Sequence, residues 1–233
     1  MNVLGIIGFG QNPAACLLMD GKLVAFAEEE RFTRIKSSDG VFPSKSVRYC
    51  LDFARLPLTG VDRIAFGWDA TKYPWRMVQN FGMNFLKYRG RAGKAFYQKK
   101  ESSSIFTAAE TLLEFHPGML RSKIQASLRA IGFAGDVPRV EFVPHHLAHA
   151  YSTYFCSKFT RAGVLTIDGS GEEMCTQLAV GHGDELRVVE SLPIPDSLGW
   201  FYAAITQYVG MLPYRDEGKL MGLAAYGEER RHE

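Results

Sequence analysis

Short apolar runs alternate with turn-forming residues through the first thirty positions of the chain. The runs NVLGIIGF, AACLLMD and LVAFAEE are rich in aliphatic and β-branched residues, which favours β-strands. GQNP separates the first two runs, and the Asp20-Gly21 pair before the third is typical of a tight hairpin turn. The pattern therefore predicts three short strands joined by tight turns.

A helical pattern follows in FPSKSVRYCLDFARL, with Pro43 placed before a Ser44 cap. The apolar positions along one face of this predicted helix are Val47, Cys50, Leu51 and Ala54. VDRIAFGW then returns to a strand pattern. From about residue 72 to residue 130 the chain becomes helical, aromatic and basic, and we interpret this stretch as a helical insertion within the first half.

The segment RVEFVPHH predicts a strand that leads directly into a helix containing three histidines. After it, GVLTIDGSGEEMCTQLAVGHGDELRVVESLPI repeats the opening order of strand, turn, strand, tight turn and strand. The repetition predicts an internal repeat of β-β-β units. On this pattern alone, two unrelated hairpin-rich stretches are an equally good explanation.

Two further helices are predicted downstream. DSLGWFYAAITQYVGM begins at a cap provided by Asp196 or Ser197, and DEGKLMGLAAYG predicts a short helix ended by Gly227.

Composition indicates an ordinary folded protein. The 233 residues are 46% hydrophobic and 22% charged, and this length fits one large domain or two small ones. The formal net charge of +2 provides no strong field for nucleic acid or an anionic membrane as the main partner. One basic stretch, KYRGRAGKAFYQKK from Lys87 to Lys100, has the composition of a phosphate or nucleic-acid patch, but we favour a solvated helix face.

The cysteines and the first residues bear on the compartment. Four cysteines without a CxxC spacing lie among apolar neighbours, so we expect buried free thiols: Cys16, Cys50, Cys156 and Cys175. The first ten residues lack the charged and long apolar regions of a signal peptide, and no run reaches the roughly 18 apolar residues of a membrane span. We therefore expect a cytoplasmic protein without a membrane segment.

The histidines of VPHHLAHAYSTYFCS have the spacing of a metal site. In a helix, His145 and His149 are neighbours at i and i+4, so both imidazoles can reach one ion. His146 forms a looser i+3 pair with His149 and is available to a phosphate or a carbonyl instead. Imidazole ligands suit Zn, Fe, Ni and Cu and need a third ligand, for which Asp168 at the end of the strand GVLTID is the candidate. Coincidence on a helix surface is the alternative, and the strand-end Asp makes a metal the better interpretation.

Two glycine-containing turns are candidate phosphate loops. In DGSGEE the candidates are Gly169, Ser170 and Gly171, and in GFGQNPAA they are Gly10 and Asn12. Alone, either turn is indistinguishable from a hairpin. Together they predict two facing phosphate loops, which is the layout of the actin-like ATPase and sugar-kinase fold.

RDEGKLMGLAAYG offers a third candidate nucleotide contact. Glu217 and Lys219 flank Gly218 where a helix is predicted to begin and where backbone donors meet polar ligands. A capped amphipathic helix is the alternative, and on spacing alone it is the interpretation that we favour. It would place three apolar side chains in the core: Leu220, Met221 and Leu223.

Taken together, the motifs resemble the NodU/CmcH-type carbamoyltransferase family. The matching pieces, in order, are LGIIGFGQNPAACLLMDGKLVAFAEEERFTRIK, PHHLAHAYSTYF, VLTIDGSGE and EGKLMGLAAYG. The resemblance implies an α/β protein with an actin-like ATPase or sugar-kinase fold made of two ribonuclease H-like halves. Residues 1–160 would form the first half, including the insertion, and residues 161–233 the start of a truncated second half. The YrdC-like domain that follows in the family is expected to be absent from this chain.

The resemblance also implies a chemistry. In the family, a YrdC-like domain makes carbamoyl-adenylate from carbamoyl phosphate and ATP, and the first domain transfers the carbamoyl group to a hydroxyl. His145, His149 and Asp168 would hold a divalent metal that grips the adenylate phosphate, with Fe²⁺ favoured over Zn²⁺ or Mn²⁺ and a further carboxylate ligand beyond residue 233.

Many family members have a histidine where this chain has Gln11, and glutamine cannot accept a proton. Either the general base lies elsewhere, with His146 a candidate, or Gln11 orients the acceptor. We expect an N-terminal portion of an O-carbamoyltransferase, inactive alone, that acts on a small-molecule or sugar hydroxyl.

Two alternatives stay open. A non-catalytic half-domain that assembles as a homodimer or with a complementing chain predicts exposed apolar surface around GKLMGLAAY. A plain ATPase or sugar kinase of the same fold predicts no bound transition metal.

Overall fold

The computed structural model describes residues 1–72, 116–133, 135–194 and 196–227 of the chain. These form two compact units, Met1–His145 and His146–Glu233, each with its own sheet. The predicted basic stretch from Lys87 to Lys100 and most of the predicted insertion lie outside the described residues.

The first unit is built on a five-stranded mixed sheet in the order β3-β2-β1-β4-β5. Its strands are β1 (Asn2–Ile7), β2 (Ala14–Met19), β3 (Lys22–Glu28), β4 (Arg63–Phe66) and β5 (Arg139–Phe142). The first three pair antiparallel, as adjacent strands with tight turns must, whereas β4 and β5 run parallel to β1. Asp20 and Gly21 both have positive φ, 49° and 77°, which is the backbone that a two-residue hairpin turn requires. The prediction of three opening strands is confirmed.

Helices pack on this sheet. They are α1 (Glu30–Thr33), α2 (Ser44–Phe53), a 3-10 turn (Leu58–Gly60) and α3 (Pro117–Ala130). Each of the two longer helices buries one stripe: Val47, Cys50 and Leu51 from α2, and Leu120, Ile124 and Leu128 from α3. For α2 the buried face thus includes three of the four predicted apolar positions, while Ala54 is half-buried just after the helix. These side chains join strand residues such as Leu4, Leu17 and Ile64 in one core.

The start of α2 corrects the sequence analysis. Ser44 is the first helical residue, and Pro43 occupies the cap position before it, where no side chain makes a capping hydrogen bond. The predicted Ser44 cap is therefore wrong. The buried carboxylate of Glu29 takes that role. It accepts hydrogen bonds from the backbone amides of Lys45 at 3.1 Å and Ser46 at 2.9 Å. An anion here satisfies amides that have no partner within the helix and complements the helix dipole.

The second unit contains a three-stranded antiparallel sheet in the order β6-β7-β8. Its elements are β6 (Arg161–Ile167), β7 (Met174–His182), β8 (Glu185–Pro193), α4 (His145–Phe155), α5 (Leu198–Tyr208) and α6 (Glu217–Ala224). The unit therefore begins its sheet with the same three-strand meander as the first unit, as the internal repeat predicted.

Helix α4 packs on the second sheet. Its Ala150 and Tyr154 form a small core with Val164 and Ala179. A Cβ atom at Gly181 would lie 2.5 Å from Cζ of Tyr154, so only glycine leaves room for that ring. This packing accounts for the division of the compact units after His145. The sequence-based division between residues 160 and 161 stays a prediction.

The last two helices differ from prediction in detail. Ser197 is the cap of α5, with its Oγ accepting from the Trp200 amide at 3.1 Å, so one of the two predicted caps is confirmed. Helix α6 ends at Ala224, three residues before Gly227. Met221 and Leu223 of α6 are exposed, so the expectation that they enter a core is wrong for the described residues.

The cysteines only partly follow expectation. Cys50 and Cys175 are buried free thiols, but Cys16 is half-buried and Cys156 is exposed. Among the helices of the described residues, none combines the length and apolar character needed to cross a bilayer.

Candidate metal centre

The structure brings together the two histidines and the aspartate that the spacing selected. His145 and His149 lie one turn apart on α4, and Asp168 directly follows β6. One ligand atom from each of the three lies within 4.8 Å of the others. Such a set of two imidazoles and one carboxylate is the arrangement expected around a single divalent ion.

The Asp168 carboxylate is oriented by its own turn. Its Oδ1 accepts a hydrogen bond from the Gly169 amide at 2.6 Å, while Oδ2 lies 3.4 Å from Nε2 of His149. One oxygen is thus held by backbone and the other faces the imidazole. The side chains of His149 and Asp168 are 52% and 39% exposed, so a ligand can approach from solvent. Imidazole nitrogens and a carboxylate oxygen are ligand types that suit Fe²⁺, Zn²⁺ or Mn²⁺.

His146 lies on the buried face of α4, which packs on the second sheet. Only 2% of it is exposed, and both ring nitrogens are engaged: Nδ1 with Oγ1 of Thr166 at 2.8 Å and Nε2 with the Met174 carbonyl at 3.0 Å. These bonds attach α4 to β6 and to the start of β7. The geometry favours a structural role for His146, and its role as a general base stays an untested prediction.

The first candidate phosphate loop is in the first unit. Gln11 and Asn12 are exposed there, and Gly10 is half-buried. The Asn12 amide faces Oδ1 of Asp39 at 3.3 Å, and the Gly10 carbonyl accepts from the Gly40 amide. The negatively charged Asp39 carboxylate beside this amide would repel an anionic phosphate bound in the same position.

The second candidate loop closes the β6–β7 hairpin. The Gly169 amide donates to Asp168 Oδ1, and the Gly171 amide donates to the Met174 carbonyl at 2.7 Å. Both amides therefore serve the turn itself in this structure, and half-buried Ser170 lies between them. In this structure the loop orients Asp168, and neither of these two amides is directed at a phosphate site.

Glu217 and Lys219 also have partners within their own segment. Glu217 accepts from the Tyr214 amide at 2.5 Å, and Lys219 Nζ lies 2.7 Å from Oδ1 of Asp216. The Lys219 ammonium, together with the Leu212 amide, lowers the pKa of the Asp216 carboxyl below its ordinary value. These contacts hold the segment before α6 against the first turn of the helix, and no side-chain capping hydrogen bond forms at Asp216.

Sequence reasoning missed the groups around the three ligands. Thr166 and Met174 hold His146, and Ser197 donates to the backbone carbonyls of Asp168 and Gly169. In the first unit, the Trp68 ring packs against the His145 imidazole with 5.3 Å between centroids. No local pattern identifies these partners, because each is distant in sequence from the residue that it contacts.

Comparison with known proteins identifies relatives along nearly the whole chain. Residues 2–232 match the family model described as carbamoyltransferase N-terminus. The uncharacterized protein sll1178 of Synechocystis sp. is 35% identical over 231 residues, which cover 98% of this chain and 35% of that protein. The nodulation protein NolNO of Sinorhizobium fredii is 35% identical over 224 residues, which cover 96% of this chain and 29% of that protein. The chain thus spans about a third of the length of these curated relatives.

Solved structures show weaker likeness. An uncharacterized Pseudomonas aeruginosa protein with similarity to peptidase YEAZ gives a TM-score of 0.36 at 18% identity, covering 97% of this chain and 93% of that one. Component A of (R)-2-hydroxyglutaryl-CoA dehydratase from Acidaminococcus fermentans gives a TM-score of 0.41 at 12% identity, covering 99% of this chain and 61% of that one.

Proposed function

The chain belongs to the carbamoyltransferase family, as its four ordered motifs predicted, and from this premise we propose that it is the transfer domain of an O-carbamoyltransferase. The acceptor would be a hydroxyl of a small molecule or sugar. The donor would be carbamoyl-adenylate, made from carbamoyl phosphate and ATP by a YrdC-like domain outside residues 1–233. The observation that carries this proposal is the cluster of His145, His149 and Asp168.

These three residues would hold a divalent metal, with Fe²⁺ favoured. When bound, such an ion supplies Lewis acidity that neutralises phosphate charge and polarises a carbonyl. The chain's own contribution is to present two imidazole nitrogens and one carboxylate oxygen on a surface that solvent reaches. Helical spacing fixes the imidazoles relative to each other, and the Gly169 amide fixes the carboxylate.

The proton of the acceptor hydroxyl needs a separate group. Gln11 is exposed and can hydrogen-bond a hydroxyl, but it cannot take up the proton. The ring nitrogens of His146 are already bonded to Thr166 and Met174. We therefore propose that Gln11 orients the acceptor and that neither residue is the base.

We propose the finer fold on the internal repeat. Each unit begins its sheet with three consecutive antiparallel strands, β1–β3 in one and β6–β8 in the other. Two such repeats are what an actin-like protein with two ribonuclease H-like halves requires.

A second candidate function has its own observation. Within the described residues, α6 has no buried side chain, and the exposed aromatics Phe201, Tyr208 and Tyr226 lie on or near the last two helices. Exposed apolar surface of this kind is covered by another segment in most proteins. We propose as the second candidate a non-catalytic half-domain, whose exposed apolar surface is covered by a further segment, a second copy or a separate chain.

The test is metal content and transfer in the full-length protein. Wild type is purified anaerobically, its metal is quantified, and carbamoyl transfer is assayed with carbamoyl phosphate and ATP. His149→Ala should lose the metal and the transfer, because two ligands hold an ion much less tightly than three. His182→Ala is the matched control, since His182 is an exposed histidine on β7 away from the cluster. Unchanged metal content and turnover in His149→Ala would contradict the proposal, and wild type without a transition metal would favour a kinase.

A further inference from the structure

The start of α5 lies directly on the turn that carries Asp168. Ser197 Oγ is 3.1 Å from the Asp168 carbonyl oxygen and 2.7 Å from that of Gly169, and it also accepts from the Trp200 amide. Its single hydroxyl hydrogen is shared between the two carbonyls. Ser197, which caps α5, therefore also binds the backbone carbonyls of two successive residues, Asp168 and Gly169.

Gly199 brings the helix against the same peptide. A Cβ atom at this position would lie 2.5 Å from the Gly169 nitrogen and 2.7 Å from both the carbon and the oxygen of the Asp168 carbonyl. All of these are backbone atoms, which cannot rotate away as a side chain can. Only a residue without a side chain allows this approach.

A side chain at position 199 would displace the Gly169 nitrogen, whose N–H orients the Asp168 carboxylate. The Gly169 amide that a methyl group would strike is the donor to Oδ1 of Asp168 at 2.6 Å. A shift of this peptide moves both the Asp168 backbone and the hydrogen bond that aims its side chain. The carboxylate would then leave the position from which Oδ2 faces His149.

We propose that Gly199, with Ser197, is a positioning residue that sets the place of Asp168 in the metal centre. This inference rests on the proposed function, because it gives α5 a role only if Asp168 is a metal ligand. Glycine is a poor helix former, and helix propensity alone would favour alanine at a helical position. The close contact with Asp168 and Gly169 explains the glycine instead.

The chain offers a matched control. Gly222 is also inside a short helix, α6, and nothing lies within 4 Å of a Cβ built there. Gly199→Ala and Gly222→Ala make the same chemical change in the same kind of element. They differ in whether the added methyl group meets the Asp168–Gly169 peptide.

The experiment measures Mn²⁺ affinity of the full-length protein by electron paramagnetic resonance, at a temperature at which each metal-free variant is folded by circular dichroism. We expect Gly199→Ala to bind Mn²⁺ about 10- to 100-fold more weakly than wild type, the usual loss when support of a metal ligand is removed. Gly222→Ala should bind as wild type does. Ser197→Ala should show a smaller loss, and Ser197→Thr, which keeps the hydroxyl, should restore affinity.

The outcomes separate the two proposals. Gly199→Ala with wild-type Mn²⁺ affinity would overturn the inference while leaving the metal centre intact, as would an equal loss in both glycine variants. If Gly199→Ala does not fold, the Ser197 pair decides, and equal affinity of Ser197→Ala and wild type overturns the inference. Wild type that binds no Mn²⁺, Fe²⁺ or Zn²⁺ would overturn the proposed function itself.

Discussion

Nδ1 of His146 lies 2.8 Å from Oγ1 of Thr166, and its Nε2 lies 3.0 Å from the Met174 carbonyl oxygen. The Met174 carbonyl can only accept, so Nε2 donates to it, while Nδ1 shares a hydrogen bond with the Thr166 hydroxyl. Both ring nitrogens thus face protein groups rather than a substrate. His146 joins the ligand helix to the strands that lead to and from Asp168.

His146→Ala should therefore lower stability. Loss of the ring removes its hydrogen bonds with the Met174 carbonyl and the Thr166 hydroxyl, each worth about 0.5–1.5 kcal/mol, and the cavity left by the buried imidazole adds to this. Urea unfolding of the full-length protein measures the change, with exposed His182→Ala expected within about 0.5 kcal/mol of wild type. Wild-type stability combined with lost transfer in His146→Ala would instead assign this histidine to catalysis.

Glu29→Ala should destabilise the first unit. The substitution leaves the Lys45 and Ser46 amides without their acceptor at the start of α2, at a cost of about 1–3 kcal/mol. Glu28→Ala removes a neighbouring carboxylate that makes an exposed pair with Arg31, and it should change stability by less than about 1 kcal/mol. Equal effects of the two substitutions in urea unfolding would rule out the capping role.

Asp216 should give an acid-dependent contribution to stability. Its folded-state pKa is lowered, first by the Lys219 ammonium and then by the Leu212 amide, so the contribution is present above the unfolded pKa and is lost as pH falls through the folded pKa. Asp216→Asn should be less stable than wild type near neutral pH and approach it in stability in acid. Unfolding midpoints at about pH 6 and about pH 3 test this sign. A stability difference that grows in acid would show that the carboxylate is not stabilised in its charged form.

The cysteines should differ widely in reactivity. Burial, and secondly the neighbouring Cys16, raises the pKa of the Cys50 thiol to about 11, whereas Cys156 is exposed. Iodoacetamide reacts with the thiolate, so at about pH 8 it should label Cys156 and leave Cys50 unmodified in the native protein. Peptide mass spectrometry measures both sites, and Cys156→Ser should remove the fast reaction. Labelling of Cys50 as fast as Cys156 would show that the α2 face is open.

Local signals account for the features that the sequence predicted well. The Asp20-Gly21 turn and the periods of the apolar runs located the strands, and the helical spacing of His145 and His149 selected the pair that meets Asp168. Ser197 could be identified as one of two candidate caps because capping acts within three residues.

The features that were missed depend on distant partners. Glu29 caps a helix 16 and 17 positions away, and Gly199 contacts a peptide some 30 residues earlier in the chain. Both residues look ordinary in their own segments. Burial shows the same limit, since the apolar neighbours of Cys156 predicted a buried thiol and the fold leaves it exposed.

The origin of the α2 cap also constrains how the first unit assembles. The carboxylate that completes the first turn of α2 directly follows β3, so its position depends on the pairing of that strand. A short helix without its cap is marginal in water, and a peptide of residues 42–56 would show little helix alone. The strands of the hairpin and the start of α2 should therefore form and unfold together, with Glu29 coupling them into one cooperative event.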